Sequence, residues 1–413
     1  MDKYEQLIKD YIADSYHKIL REPKGLLKHK MIVPGACYDF TLWDWDSWIT
    51  DVAITPVARE NGSMAEFFEY QKGCILNFCQ HIDEKTGWLP VMIGDKEYLP
   101  KKEMAGQTNC SKPVLIQHAL FIGREHGDYG WLTDCYPVFE RYLQYWRDCC
   151  QHESGLFFYI DDTCIGVDND PCTFYRPKRS SGSIFINCLM YKELLAMAEL
   201  SKKLGYSDKQ TVYAARAEEL KQAIRSRCYD ERNGFYYSVD LNLVPIDPNQ
   251  WLHSGFPRNW DTLIQRIDVW SGFLAMWAGI ATEEEAKRMV EENYKNPRTF
   301  YSNYGVRSLS CSEKMYQIVE SGNPSCWLGP IWGISNYLVF RGLLRYGYEQ
   351  EARELLDKTV EMFGRDIEAC GEMHEYYHPD TGEGVYNVGF QSWNLLCGNM
   401  IDWKETGHAV CEV

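Results

Sequence analysis

The chain has 413 residues, a net charge of −16 and no run of the roughly 18 apolar residues that a membrane helix needs. Lys and Arg are nowhere gathered into a stripe interleaved with aromatics, so neither nucleic acid nor a membrane is an expected partner. Hydrophobic residues make up 45%, enough to bury a large core, and no Pro/Ser-rich linker or low-complexity stretch divides the chain, so one domain over residues 1–413 is expected.

In chain order, hydrophobic periodicity predicts helices over 2–21, 44–59, 63–82, 112–126, 134–152, 182–204, 209–227, 268–280, 283–294, 328–347, 349–364 and 388–402. The first, MDKYEQLIKDYIADSYHKIL, mixes charge with apolar residues at helical spacing and lacks the apolar core of a secretory signal, which points to the cytoplasm. The sixteen cysteines agree with that. They are scattered without a CxxC pair, often inside apolar helical stretches (Cys74, Cys79, Cys188, Cys397), and read as reduced thiols.

Helices of two kinds alternate. Odd ones, such as TEEEAKRMVEENY and EQEARELLDKTVEMFGR, carry one apolar stripe and a charged face, whereas even ones, such as WSGFLAMWAGI and GPIWGISNYLVFRGLL, are apolar nearly all round. Links after the even helices are short and links before them long (83–111, 153–181, 228–267, 295–327, 365–387), which gathers the long loops at one end. Six enclosed and six outer helices are what an all-α (α/α)6 barrel requires. A β-hairpin over 229–240, turning at Asn233-Gly234, is the expected interruption.

The chain holds fourteen Trp and twenty-eight Tyr, many of them in polar, Gly/Pro-containing segments, where flat amphipathic rings suit sugar faces. The segments are CYDFTLWDWDSW (37–48), GQTNCSKP (106–113), GVDNDPCTFYRPKR (166–179), CWLGPIW (326–332), GEMHEYYHPDTGEG (371–384) and FQSWN (390–394). Inverting hydrolysis of a glycoside needs a protonated carboxyl on the leaving oxygen and a carboxylate across the ring that activates water. Asp168 precedes the third inner helix and Glu375 the sixth, positions that face each other in a six-membered ring. Asp170 competes with Asp168 for the acid and Glu372 with Glu375 for the base. Asp161, Asp162, Asp168 and Asp170 lack the spacing of a calcium loop, and His374 and His378 lie on a loop rather than a zinc-binding helix, so no metal and no cofactor are expected.

LWDWDSW, GVDNDP, the WxGPIWxxxNY stretch ending at Tyr337, RYGYEQEA and HEYYHPDTGEG, in that order and spacing, resemble the (α/α)6 hydrolases that include family 63 α-glucosidases, trehalases and bacterial glucosylglycerate and mannosylglycerate hydrolases. The resemblance runs from about Tyr38 to Trp393. It implies that Asp168 is the general acid and Glu375 the general base, and that Trp43, Trp45 and Asp46 bind the glycosyl unit. It further implies sugar-binding roles for Trp327, Gly329, Trp332 and Gln391. Tyr38, Gln107, Asn109, Lys112 and Arg176 complete the expected binding set. The family's acid motif usually continues with a small residue, Pro and Arg; here Asp170-Pro171-Cys172 follows, and the basic residue arrives later as Arg176, Lys178 or Arg179.

The implied activity is hydrolysis of a small α-glucoside or related α-glycoside, glucosylglycerate-like compounds included, with a small carbohydrate as the only expected partner. A sugar-binding homologue without turnover, and an epimerase or phosphorylase on the same barrel, are the competing readings.

Overall fold

The computed structural model describes residues 2–244, 249, 251–252, 260–319 and 323–413. Twelve α-helices are found there: α1 Lys3–Ser15, α2 Asp44–Glu60, α3 Met64–Gln80, α4 Leu115–His126, α5 Tyr136–Cys150, α6 Ile184–Lys203, α7 Ser207–Cys228, α8 Leu274–Trp277, α9 Glu283–Arg288, α10 Gly333–Arg345, α11 Glu349–Cys370 and α12 Leu396–Thr406. The even helices touch in sequence, α2 to α4 to α6 to α8 to α10 to α12, and α12 returns to α2, closing a ring. This is the (α/α)6 barrel.

Burial follows the apolar pattern. In α2, buried residues run without interruption from Asp44 to Thr55, as an enclosed helix requires, while α7 on the outside buries only six scattered positions. Helix α11 buries one stripe, including Leu355, Leu356 and Phe363, and packs it on α1 and α10. Its end is set by Gly371, whose φ of 78° is the left-handed conformation that glycine adopts without strain.

Several helices are shorter than periodicity predicts. Helix α1 stops at Ser15; a 3-10 turn follows over Tyr16–Ile19, and Leu20–Arg21 then pairs with Met31–Ile32. The predicted helix over 268–280 is a 3-10 turn at Trp270–Phe273 leading into one turn of α-helix. Gly272 packs against Phe235 and the Tyr236 carbonyl so closely that a Cβ would lie 2.3 Å from the Phe235 ring. The hairpin pairs Tyr229–Asp230 with Phe235–Tyr236.

Three small antiparallel sheets brace the mouth. Their strands Thr41–Trp43, Ser181–Gly182 and Ile331–Trp332 lead directly into α2, α6 and α10, so strand pairing aims the N-terminal ends of alternate inner helices at one opening. No helix among the described residues is long and apolar enough to cross a membrane.

Candidate active site

A cavity of about 500 Å³ opens at this mouth. Its wall begins with the strand over 41–43: Trp43 ends the strand in extended conformation (ψ 145°) and the first turn of α2 carries Trp45 and Asp46 into the cavity. The neighbouring Asp44 points elsewhere. It pairs with Lys112 (Nζ to Oδ1, 2.9 Å), accepts the Lys112 backbone N–H at 2.7 Å, and so ties the mouth end of α2 to the segment entering α4. Both partners are about 1–2% exposed, and the Lys112 ammonium also lies 5.5 Å from the Trp45 ring.

The aromatic floor is continuous. Trp327 and Trp332 stack at 4.0 Å with an interplanar angle of 7°, Trp393 lies 5.0 Å from Trp45 and 5.9 Å from Trp332, and Phe390 lies 4.9 Å from Trp393. Trp332 is fully buried and donates to the Cys326 carbonyl, so it supports the floor from below as much as it lines it.

Asp168 and Glu375 both line this cavity. Asp168 sits in a turn held to the opposite loop by Asn169, which adopts φ 53° and bridges chains as a backbone would: its amide donates to the Ser325 carbonyl and its oxygen accepts the Trp327 N–H, each at 3.0 Å. Burial pushes the Asp168 carboxyl above the usual aspartate range, against the opposing pull of Ser325, Lys112 and Asn323. Glu375 precedes the strand Tyr376–Tyr377, and its backbone N–H is fixed by the Tyr386 carbonyl. Its carboxylate accepts from Tyr38 Oη, 3.2 Å from each oxygen, and from Asn387 Nδ2 at 2.7 Å. Burial is the largest influence on it and, with the Asp168 charge, raises its pKa to about 7 despite those two donors. Asp46 is pushed up to about 8, again by burial first, with Ser392 donating to Oδ1 at 3.0 Å.

The competitors lie elsewhere. Glu372 accepts from Tyr11 Oη at 2.7 Å, and Asp170 caps the Cys172 N–H; neither lines the cavity. Of the fourteen residues singled out from sequence, Tyr38, Trp43, Trp45, Asp46, Lys112, Asp168, Trp327, Trp332 and Glu375 meet there.

The other five are off the cavity, each for a local reason. Gln107 is exposed. Asn109 spends its amide on the Asp161 and Thr163 carbonyls and its oxygen on the Ile160 N–H, bracing a loop. Arg176 turns outward to pair with Asp240. Gly329, at φ 150°, lets the chain pass under Tyr316, whose ring a Cβ would meet at 2.6 Å. Gln391 is buried behind the wall, its amide directed to the Ser15 carbonyl at 3.5 Å. Asn387 and residues 323–325 are not anticipated, and nothing in the local pattern of the sequence marks them; Ser392 lies in the expected segment FQSWN, but its bond to Asp46 is visible only in the structure.

Comparison with known proteins accords with this geometry. Residues 39–394 match the family model described as a mannosylglycerate hydrolase MGH1-like glycoside hydrolase domain. A mannosylglycerate hydrolase of Rubrobacter radiotolerans is 26% identical over 210 residues, covering 49% of this chain and 39% of that protein. A probable trehalase of Eremothecium gossypii is 31% identical over 260 residues, 59% of this chain and 32% of that one. The chain therefore spans well under two-thirds of the length of these relatives. Among solved structures, a glycoside hydrolase family 63 mannosylglycerate hydrolase from Thermus thermophilus, crystallised with glucose, superposes with a TM-score of 0.68 at 17% identity over 95% of this chain and 99% of that one.

Proposed function

Because the chain belongs to the mannosylglycerate hydrolase MGH1-like family of glycoside hydrolases, we propose that it hydrolyses a small α-linked glycoside with net inversion, using Asp168 as general acid and Glu375 as general base. The observation that carries this reading is the meeting of the two carboxyls in one cavity, over a floor of Trp45, Trp327 and Trp393. They arise from loops that precede α6 and α12, the third and sixth members of the inner ring.

Burial raises Asp168, the direction that favours the protonated form needed to deliver a proton to the leaving oxygen. As that proton is transferred the glycosidic C–O bond breaks. A water held by Glu375 adds to the opposite face of the anomeric carbon, and its proton passes to the Glu375 carboxylate. Tyr38 and Asn387 orient that carboxylate by donating to it. Proton exchange with solvent resets both groups. The chemistry asks for no cofactor.

Trp43, Trp45, Asp46 and Trp327 are assigned to the glycosyl unit. Of the basic residues suggested by sequence, Lys112 alone reaches the cavity among the described residues, and Asp44 already neutralises it. Arg176 and Lys178 are paired with Asp240 and Asp161. This favours an uncharged aglycone over an anionic one. Buried thiols such as Cys74, Cys188 and Cys397 support a reducing compartment, and we assign the protein to the cytoplasm.

The test is a screen of sugar release from α-linked disaccharides and glycosylglycerates, followed on the best substrate by NMR. The expected first product is the β-anomer, before mutarotation mixes the two. First appearance of the α-anomer overturns inversion; sugar binding without release makes the chain a binding homologue; phosphate-dependent release makes it a phosphorylase.

A further inference from the structure

The end of α11 carries a second cluster with chemistry of its own. Asp366 and Cys370 are four residues apart on the last turn, so they share a face. Gly371 reverses the chain and brings His374 back onto that face. One oxygen of Asp366, Sγ of Cys370 and a ring nitrogen of His374 then lie within 4.8 Å of one another. His374 Nδ1 is 2.9 Å from Asp366 Oδ2, and Cys370 Sγ is 3.5 Å from Oδ1.

The geometry points to a binding site for a thiophilic divalent cation of the zinc class, held by Asp366, Cys370 and His374. Zinc takes thiolate at about 2.3 Å and imidazole or carboxylate at about 2.0–2.2 Å, which makes the edges of its coordination tetrahedron roughly 3.3–3.6 Å. Taken from the one oxygen Oδ1 of Asp366, the His374 Nδ1 and Cys370 Sγ separations are 3.1 and 3.5 Å, close to those edges, and the third separation lies within 4.8 Å. A mixed oxygen, nitrogen and sulfur set selects zinc-class cations over magnesium or calcium, which prefer all-oxygen sites.

The surroundings hold the donors in place in the way that outer partners hold metal ligands. Asp366 Oδ2 accepts from Tyr377 Oη at 2.7 Å and from the His374 N–H at 3.0 Å, and Asn394 Nδ2 holds the His374 carbonyl at 2.7 Å. Gly384 passes so close that a Cβ would lie 2.1 Å from His374 Nδ1. Cys370 is exposed, which gives the cation an entry path and a solvent-facing fourth position. His378 is not part of this group; its Nδ1 faces the Asp380 N–H.

On binding, the Cys370 thiol gives up its proton to solvent and the imidazole of His374 carries its one proton on Nε2, leaving Nδ1, the Asp366 carboxylate and the thiolate to form three metal–ligand bonds. The cation would then clamp the end of α11 to the residue immediately before Glu375.

The test is cobalt(II) added to the chelator-treated full chain, read by absorption, with zinc displacing it. The expected result is one equivalent of cobalt giving a thiolate charge-transfer band and the intense visible bands of a tetrahedral site, with a zinc-dependent rise in Tm. Cys370→Ser and His374→Ala should each abolish the thiolate band, while Cys37→Ser, at the other exposed cysteine, should leave it unchanged. No band in the unaltered chain, or a band that survives Cys370→Ser, overturns the site. These readouts do not depend on hydrolysis.

Discussion

Glu412, at the end of the barrel away from the mouth, and the carboxyls that line the cavity are treated in opposite ways. Glu412 accepts from Trp277 Nε1 at 2.8 Å, Tyr337 Oη at 2.5 Å and Arg341 Nε at 3.1 Å. Burial alone would raise it, but the Arg341 charge and these donors outweigh burial and hold it down at about 2. At the mouth, Asp46, Asp168 and Glu375 are also enclosed but less well served, and all three are pushed upward. A satisfied carboxylate stabilises the fold; an under-satisfied one keeps a proton within reach of chemistry at some cost in stability.

The largest expected effect on stability is at Glu412. Glu412→Ala leaves the buried Trp277 N–H and Tyr337 O–H without their acceptor and the half-buried Arg341 without its partner, and should lower stability by about 2–4 kcal/mol in denaturant unfolding. A loss under about 1 kcal/mol would mean that this end of the barrel is not held by this carboxylate.

At the mouth the sign reverses. The folded-state pKa of Asp46, about 8, stands above the ordinary 3.8. Its contribution is therefore stabilising while protonated, complete below about 4, and lost as pH rises toward 8. Asp46→Asn should accordingly raise stability at pH 8 by of order 1–3 kcal/mol, change it little at pH 4, and weaken sugar binding. An equal shift at both pH values would remove the pH argument.

Smaller effects sharpen the contrast. Trp45→Ala should weaken sugar affinity about tenfold, corresponding to about 1.4 kcal/mol of lost stacking, measured by calorimetry on the folded variant. Gln107→Ala, exposed and off the cavity, should change stability by less than about 0.5 kcal/mol and leave kcat/KM untouched. A tenfold fall in kcat/KM would return Gln107 to the site.

The barrel was legible because enclosed and outer helices differ in composition as well as in period, a contrast that survives errors at helix ends. Where expectation and structure part, tertiary contacts are responsible. Residues 16–21 keep helical spacing but leave the helix to pair Leu20–Arg21 with Met31–Ile32, and Gly272 tightens the start of the eighth helix against Phe235.

In the site, motifs located the loops but not the direction of each side chain. The motif points to Asp46 rather than Asp44 as the sugar ligand, but not to the partner of Asp44, which is Lys112, 68 residues away. Asn109 and Arg176 are polar residues in mouth loops whose partners, Asp161 and Asp240, become visible only in three dimensions. Asn387 carries no local signal, because it is the antiparallel pairing of Tyr376–Tyr377 with Gly384–Tyr386 that sets it beside Glu375.

The most direct test of the central claim, that the under-satisfied carboxyls at the mouth do the chemistry, is turnover and unfolding measured on the same Asp168→Asn and Glu375→Gln samples. The expected result is a loss of kcat of about 10²–10⁴-fold for each, with stability near pH 8 equal to or above that of the unaltered protein. Near-normal turnover in either variant would contradict it.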